Sequence, residues 1–291
     1  MAFNWQTFRT RTLTAIIFTA VMLVGLLWNQ WSFLVLFSII HFGCWWEYFN
    51  LLEKIYNTTY HRYTRIGFML IGYGIMLMFC DRVFQVNDYQ LNQNFSLPVS
   101  LAGFVMLGLG IFQTRKISLK TFGIAALGFL YISLSWGLMM SLRQYGIVFN
   151  DNFSMVDFGI LPPLAIIFSI WVNDTMAYVV GSLIGKTPLS KISPKKTWEG
   201  TIGGMILAII IMGVIAWSTG YDVLTVIIIA AISSAIGTLG DLLESKLKRM
   251  ADVKDSGNIM PGHGGFLDRF DSLLLAIPAV WLYVFLFMKQ S

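Results

Sequence analysis

The sequence predicts an all-α integral membrane protein of about nine transmembrane helices, with the N-terminus cytoplasmic and the C-terminus outside. Three observations predict it: composition, the number of apolar runs, and the placement of basic residues. Of 291 residues, 56% are apolar and only 12% charged, about half the charged share of an ordinary soluble domain. So few charges cannot furnish a water-compatible surface, so lipid must cover much of the chain. Nine apolar runs, at 12–28, 31–46, 66–80, 97–113, 121–140, 160–184, 201–219, 223–240 and 272–288, suit helices crossing about 30 Å of hydrocarbon. The runs 31–46 and 66–80 are short, which implies a tilted, extended or partly interfacial helix. With the N-terminus inside, all but three of the 20 basic residues (Arg82, Arg143 and Lys289) fall on the cytoplasmic side, the asymmetry that orients spans in cell membranes. A missed or invented span would scramble that division.

Arg9 and Arg11 ahead of the first run resemble the front of a signal peptide. Trp28-Asn29-Gln30-Trp31 offers no small-x-small cleavage site, so a retained signal anchor is expected. Cys44 and Cys80 lie within or at the ends of apolar runs and read as small buried hydrophobes rather than a disulfide or zinc framework. The net charge of +5 is mostly the positive-inside bias and does not indicate a nucleic acid partner. It does give the inner face a potential attractive to lipid headgroups and phosphates. No repeat or linker divides the chain, which reads as one continuous membrane domain. Residues 1–160 have the look of scaffold, and 161–291 gather the polar residues expected to do chemistry.

Three stretches of that second part stand out. Asp174 sits inside the run 160–184, and an ionisable residue at membrane depth should face a polar cavity or a cation. Ala177, Gly181 and Gly185 follow it at four-residue intervals and make a ridge for close helix packing. Next, Lys186, Lys191, Lys195 and Lys196 precede the run 201–219 together with Ser193 and Thr197. The ordinary explanation is a basic membrane anchor. The alternative is a phosphate site, because a capped helix N-terminus beside lysines binds anions. The third stretch runs from Asp241 to Asp271. If it begins as helix, Asp241, Glu244, Ser245 and Lys248 share one face, and Asp268 and Asp271 form a second pair at i, i+3. Carboxylates there flank a loop of Lys254, Asp255, His263 and several glycines. Mg²⁺ takes one or two carboxylates plus phosphate oxygens, and the cations suit the remaining phosphate charge. Neither a Walker A loop, a GxSxG elbow nor an HExxH helix occurs.

Ser245-x-Leu247-Lys248-Arg249, then Lys254-Asp255-x-Gly257, then His263-Gly264-Gly265-Phe266-x-Asp268-Arg269-Phe270-Asp271 resembles the signature of the phosphatidate cytidylyltransferases, or CDP-diglyceride synthases. Ser193-Pro194-Lys195-x-Thr197-Trp198-x-Gly200 and the position of Asp174 resemble that family too. The resemblance implies the reaction CTP + phosphatidate → CDP-diacylglycerol + pyrophosphate, with Mg²⁺ and a second cation such as K⁺, no covalent intermediate, and a homodimer. It implies Asp241 and Asp268 as principal metal ligands, with Asp271, Asp255 and Asp174 as further candidates. Lys248, Arg249, Lys254, His263 and Arg269 would hold phosphates, and Ser193, Lys195, Lys196 and Thr197 would hold CTP or the lipid headgroup. All these loops fall on the side the charge asymmetry makes cytoplasmic, where CTP is found, so a multi-pass protein of the cell membrane with an inward-facing site is expected. Two other readings compete: a CTP-using enzyme acting on an isoprenoid or other lipid, and an ion-coupled carrier built around Asp174. The carrier reading wants inverted repeats, which the sequence does not display.

Overall fold

Among the described residues, the nine apolar runs become nine helices, and most of the chain lies in them. A computed structural model describes residues 5–81, 83–87, 89–114, 118–144, 147–149, 155–157, 159–258 and 264–288. The helices are α1 (Trp5–Leu27), α2 (Gln30–Tyr56), α3 (Arg62–Met78), α4 (Leu91–Gln113), α5 (Leu119–Gln144), α6 (Leu161–Ile184), α7 (Trp198–Thr219), α8 (Val223–Met250) and α9 (Phe266–Phe287). Helix α4 opens with a π-helical turn at Leu91–Phe95, and α5 contains another at Phe129–Leu134. Two small antiparallel hairpins occupy loops: β1 (Gln85–Val86) with β2 (Tyr89–Gln90), and β3 (Ile147–Phe149) with β4 (Met155–Asp157).

Among the described residues, seven helices, α2 and α4 to α9, are long and apolar enough to cross a membrane, where the sequence suggests about nine. Helix α3 has 17 residues, about 25 Å of rise, and it opens on Arg62 and Arg65. The apolar part of α1 is Thr12–Leu27. This is an all-α, multi-pass integral membrane protein. Helices α2 and α8 outrun the apolar runs that mark them, because hydropathy follows the hydrocarbon and not the hydrogen-bond ladder. Helix α8 carries on from Gly240 through Asp241 to Met250.

The chain divides into two compact units. One comprises Met1–Met140 and Leu247–Phe270, the other Ser141–Lys246 and Asp271–Ser291. The first is centred on α2. Asn29 caps it, its side chain accepting from Trp31 N at 2.9 Å and Ser32 N at 2.8 Å, while Ser32 Oγ accepts from Asn29 N at 3.1 Å. This reciprocal box satisfies amides that would otherwise be orphaned at the helix start. Trp45 is fully buried, packs on Phe49, Phe68 and Phe129, and donates from Nε1 to Ser133 Oγ at 2.9 Å. Cys44 and Cys80 are buried, and neither is in a disulfide. Helices α3 and α4 cross where Gly67 meets Gly103, and a Cβ on either would come within 2.7 Å of backbone nitrogen across the crossing.

In the second unit α6 and α7 pack through small residues. A Cβ at Gly200 would meet Ala177 O at 2.7 Å, and one at Gly204 would meet Asn173 O and Ala177 N at 2.8 Å. The ridge expected at Ala177 and Gly181 therefore serves this contact, which depends on backbones approaching closely. Helix α7 is two-faced as a result. Gly200, Gly204, Ala208 and Met212 are buried, whereas Ile202, Ile206, Ile210 and Val214 are exposed, as side chains facing lipid would be. Gly204→Leu is expected to lower stability by about 1–3 kcal/mol through overpacking, read as a lower melting temperature in detergent. Ile206→Leu is expected to leave it unchanged, and equal melting of both variants would contradict this packing.

Candidate active site

The second unit holds the first of two polar constellations. The segment joining α6 to α7 folds back on itself: Leu189 N donates to Lys196 O at 2.7 Å, Trp198 N to Thr187 O at 2.9 Å, and Lys196 N to Ser193 O at 3.1 Å. Glu199, in the first turn of α7, accepts from the backbone of Lys186 and Thr187 at 3.2 Å and ties the two ends of the segment together. Thr197 is the N-cap of α7, its hydroxyl accepting from Gly200 N at 3.1 Å. Thr197, and not Ser193, therefore caps this helix.

The fold-back brings the expected residues to one place. Asp174, Ser193, Lys195, Lys196, Thr197 and Asp241 line a single cavity of about 490 Å³. Lys196 Nζ forms an ion pair with Asp241 Oδ2. Asn173, Thr201 and Thr238 add polar groups to the wall, three residues not singled out from the sequence. Asp241 and Glu244 both bear electrostatically on Asp271. Asp271 and Glu244 are buried. Close approach of α8 and α9 puts these acids together: a Cβ at Gly240 would come within 3.1 Å of Ser272 Cα.

Do these residues fit a divalent cation? No three His, Cys, Asp or Glu side chains among the described residues form a ready cation cage. Adjacent carboxylates nevertheless repel, and a hard cation between them relieves the repulsion. Mg²⁺ held by one or two carboxylates with substrate phosphates completing its shell needs no cage. The donor chemistry of Asp241 and Asp271 fits that mode.

The second constellation belongs to the first unit. Asp268 lies in the first turn of α9. Its Oδ1 pairs with Lys248 Nζ at 2.6 Å. Its Oδ2 accepts from Ser256 N at 2.8 Å, Gly265 N at 2.8 Å and Ser256 Oγ at 2.9 Å. Ligation of a metal by Asp268 would therefore fall to Oδ1, in exchange for Lys248. Gly264 has a φ of 83°, the left-handed region that glycine enters without strain, and a Cβ there would crowd Asp268. Glycine at 264 therefore lets the backbone close onto the carboxylate of Asp268.

The other site residues are placed as follows. Arg249 donates to Val253 O at 3.1 Å and closes the C-terminal end of α8. Lys254 and Asp255 are exposed. Asp255 lines a cavity of about 1200 Å³ together with Lys54, Asn57, Ser256 and Asn258. Arg269 is exposed in the first turn of α9. His263 lies outside the described residues. The sequence reading also missed Glu47 of α2, 2% exposed. Its Oε2 accepts from Ser256 Oγ at 2.7 Å and Leu267 N at 2.9 Å, and its Oε1 from Phe266 N at 2.9 Å. The signal was present: an ionisable residue inside Trp45-Trp46-Glu47-Tyr48-Phe49 is the same anomaly that marks Asp174.

In the cavity of the second unit the lysines and hydroxyls around a capped helix start lie beside carboxylates. A family model described as the cytidylyltransferase family matches residues 9–287. A protein of Staphylococcus saprophyticus named phosphatidate cytidylyltransferase is 32% identical over 275 residues, covering 93% of this chain and 96% of its own. One of the same name from Bacillus subtilis is 37% identical over 192 residues, 64% of this chain and 66% of its own. Another from Aquifex aeolicus is 41% identical over 120 residues, 41% of this chain and 45% of its own. With the match running from residue 9 to residue 287, the chain belongs to the cytidylyltransferase family.

Proposed function

We propose that this chain is a phosphatidate cytidylyltransferase, making CDP-diacylglycerol and pyrophosphate from CTP and phosphatidate at the cytoplasmic face of the cell membrane. The observation that carries the proposal is the cavity of the second unit, in which Ser193, Lys195, Lys196 and Thr197 face Asp174 and Asp241. An oxygen of the lipid phosphate attacks the α-phosphorus of CTP, and the bond to the β-phosphate oxygen breaks as pyrophosphate leaves. Both reactants are polyanions, so the barrier is largely charge repulsion and alignment. Lys195 and Lys196 lower the repulsion, while the Ser193 and Thr197 hydroxyls and the start of α7 offer donors to phosphate oxygens. Bound Mg²⁺, with a second cation such as K⁺, would neutralise phosphate charge and make the α-phosphorus a better electrophile. Asp241 and Asp271 have the chemistry to hold it, with Asp174, Asp255 and Asp268 as further candidates. Lys248, Arg249, Lys254, His263 and Arg269 are assigned to phosphates of either substrate. The inward orientation is supported by the distribution of basic residues, and a homodimer by family resemblance alone.

The test compares acceptors. Purified protein with CTP and Mg²⁺ is expected to release pyrophosphate with phosphatidate, and not with a polyprenyl phosphate or a polyprenol. Chelating the divalent cation should abolish release, and readding Mg²⁺ should restore it. Release with the isoprenoid acceptor and none with phosphatidate would contradict the proposal.

A further inference from the structure

We infer that Glu47, in the N-terminal part of the chain, is a positioning residue that sets where Asp268 sits. The inference rests on the proposed function, in which Asp268 is a candidate ligand of the cation. Glu47 comes from the middle of α2, 209 or more residues away in sequence from the groups it binds, yet every one of them belongs to the signature segment. It accepts the first two amides of α9, from Phe266 and Leu267, and the hydroxyl of Ser256. Three donors offset the cost of burying the carboxylate, which would otherwise be large.

Ser256 is the link. Its Oγ lies 2.7 Å from Glu47 Oε2 and 2.9 Å from Asp268 Oδ2, and it accepts from Asp268 N at 3.3 Å. A hydroxyl has one proton to donate, so the two carboxylates share one donor, and the orientation of one depends on the other. The fit around Glu47 is also steric. A Cβ at Gly257 or Gly265 would collide with its carboxylate, so the loop and the start of α9 close directly onto it. One turn earlier on α2, Gly43 makes room for the ring of Phe266. A simple helix cap would need only a Ser, Thr, Asp or Asn beside α9. A buried carboxylate contributed by α2 instead ties the α9 start, Ser256 and Asp268 into one rigid group, and small displacements of a reacting array are costly to rate.

The experiment is steady-state kinetics of Glu47→Gln, normalised to folded protein. The neutral amide turns an acceptor into a donor against the α9 amides. We expect kcat to fall about 10–100-fold, the range for groups that orient a reacting residue, with KM for CTP and phosphatidate within about threefold. Glu47→Asp, which keeps the charge, should recover part of the loss. A merely structural role would reduce the yield of folded protein and leave kcat per folded molecule unchanged, and that result overturns the inference. Should Glu47→Gln fail to fold, Ser256→Ala replaces it, since it removes the shared hydroxyl and keeps the α9 cap. The same fall in kcat is expected, and wild-type kcat there also overturns the inference. Asp268→Asn is measured in parallel. If it is inactive while Glu47→Gln is normal, only the positioning role fails; if it is fully active, the reading beneath it fails too.

Discussion

Asp241→Asn is expected to lower kcat by about 10³-fold or more while leaving the melting temperature within about 2 °C of the parent. The size follows from what one fixed charge is worth against a developing phosphate charge in a site shielded from water, about 10²–10³ in rate, and from the further loss of a cation ligand. The stability side follows from geometry. Asp241 is a quarter exposed and Lys196 a third exposed, so the ion pair is partly solvated and contributes about 1 kcal/mol or less. Its removal also relieves the repulsion that Asp241 exerts on Asp271. Turnover at saturating CTP and thermal unfolding in detergent read the two effects separately. Normal turnover in the Asp241→Asn variant would remove Asp241 from the chemistry.

Asp268→Asn is expected to lose turnover and stability together. The Lys248–Asp268 pair is far less exposed, at 13% and 8% for the two side chains, and Asp268 Oδ2 gathers three donors besides. Neutralising one partner of a buried pair costs about 3–5 kcal/mol, whereas removing both charges costs much less. The double variant Asp268→Asn, Lys248→Met should therefore recover most of the lost melting temperature and none of the turnover. Recovery of both would mean that Asp268 matters only to the fold. Recovery of neither would mean that the pair is not what makes the single variant unstable.

The helices were legible because burial in lipid writes a long, simple pattern: nine apolar runs correspond to nine helices, and the Ala177–Gly181 ridge meets Gly200 and Gly204 as small residues should. Asp174, Ser193, Lys195, Lys196, Thr197 and Asp241 were each legible as candidates from their chemistry, and the fold brings them round one cavity. What stayed hidden was pairing over long sequence distance. Nothing local in Trp45-Trp46-Glu47 says that its carboxylate meets Ser256 and the start of α9. The run 31–46 stops one residue short of Glu47, although aromatic residues continue beyond it. Charge counting also does not show which protein partner a cation already has. Lys248 is held by Asp268 and Arg249 by the carbonyl of Val253, and both read simply as basic residues in a signature.

Label transfer from CTP tests the central claim most directly. CTP labelled in the α-phosphate is supplied with phosphatidate and Mg²⁺ to the purified protein, and the lipid and aqueous phases are separated. The α-label is expected in a lipid that migrates as CDP-diacylglycerol, with one pyrophosphate released for each lipid labelled. Label remaining in the aqueous phase as CMP or CDP, with phosphatidate unchanged, would contradict cytidylyl transfer to this lipid.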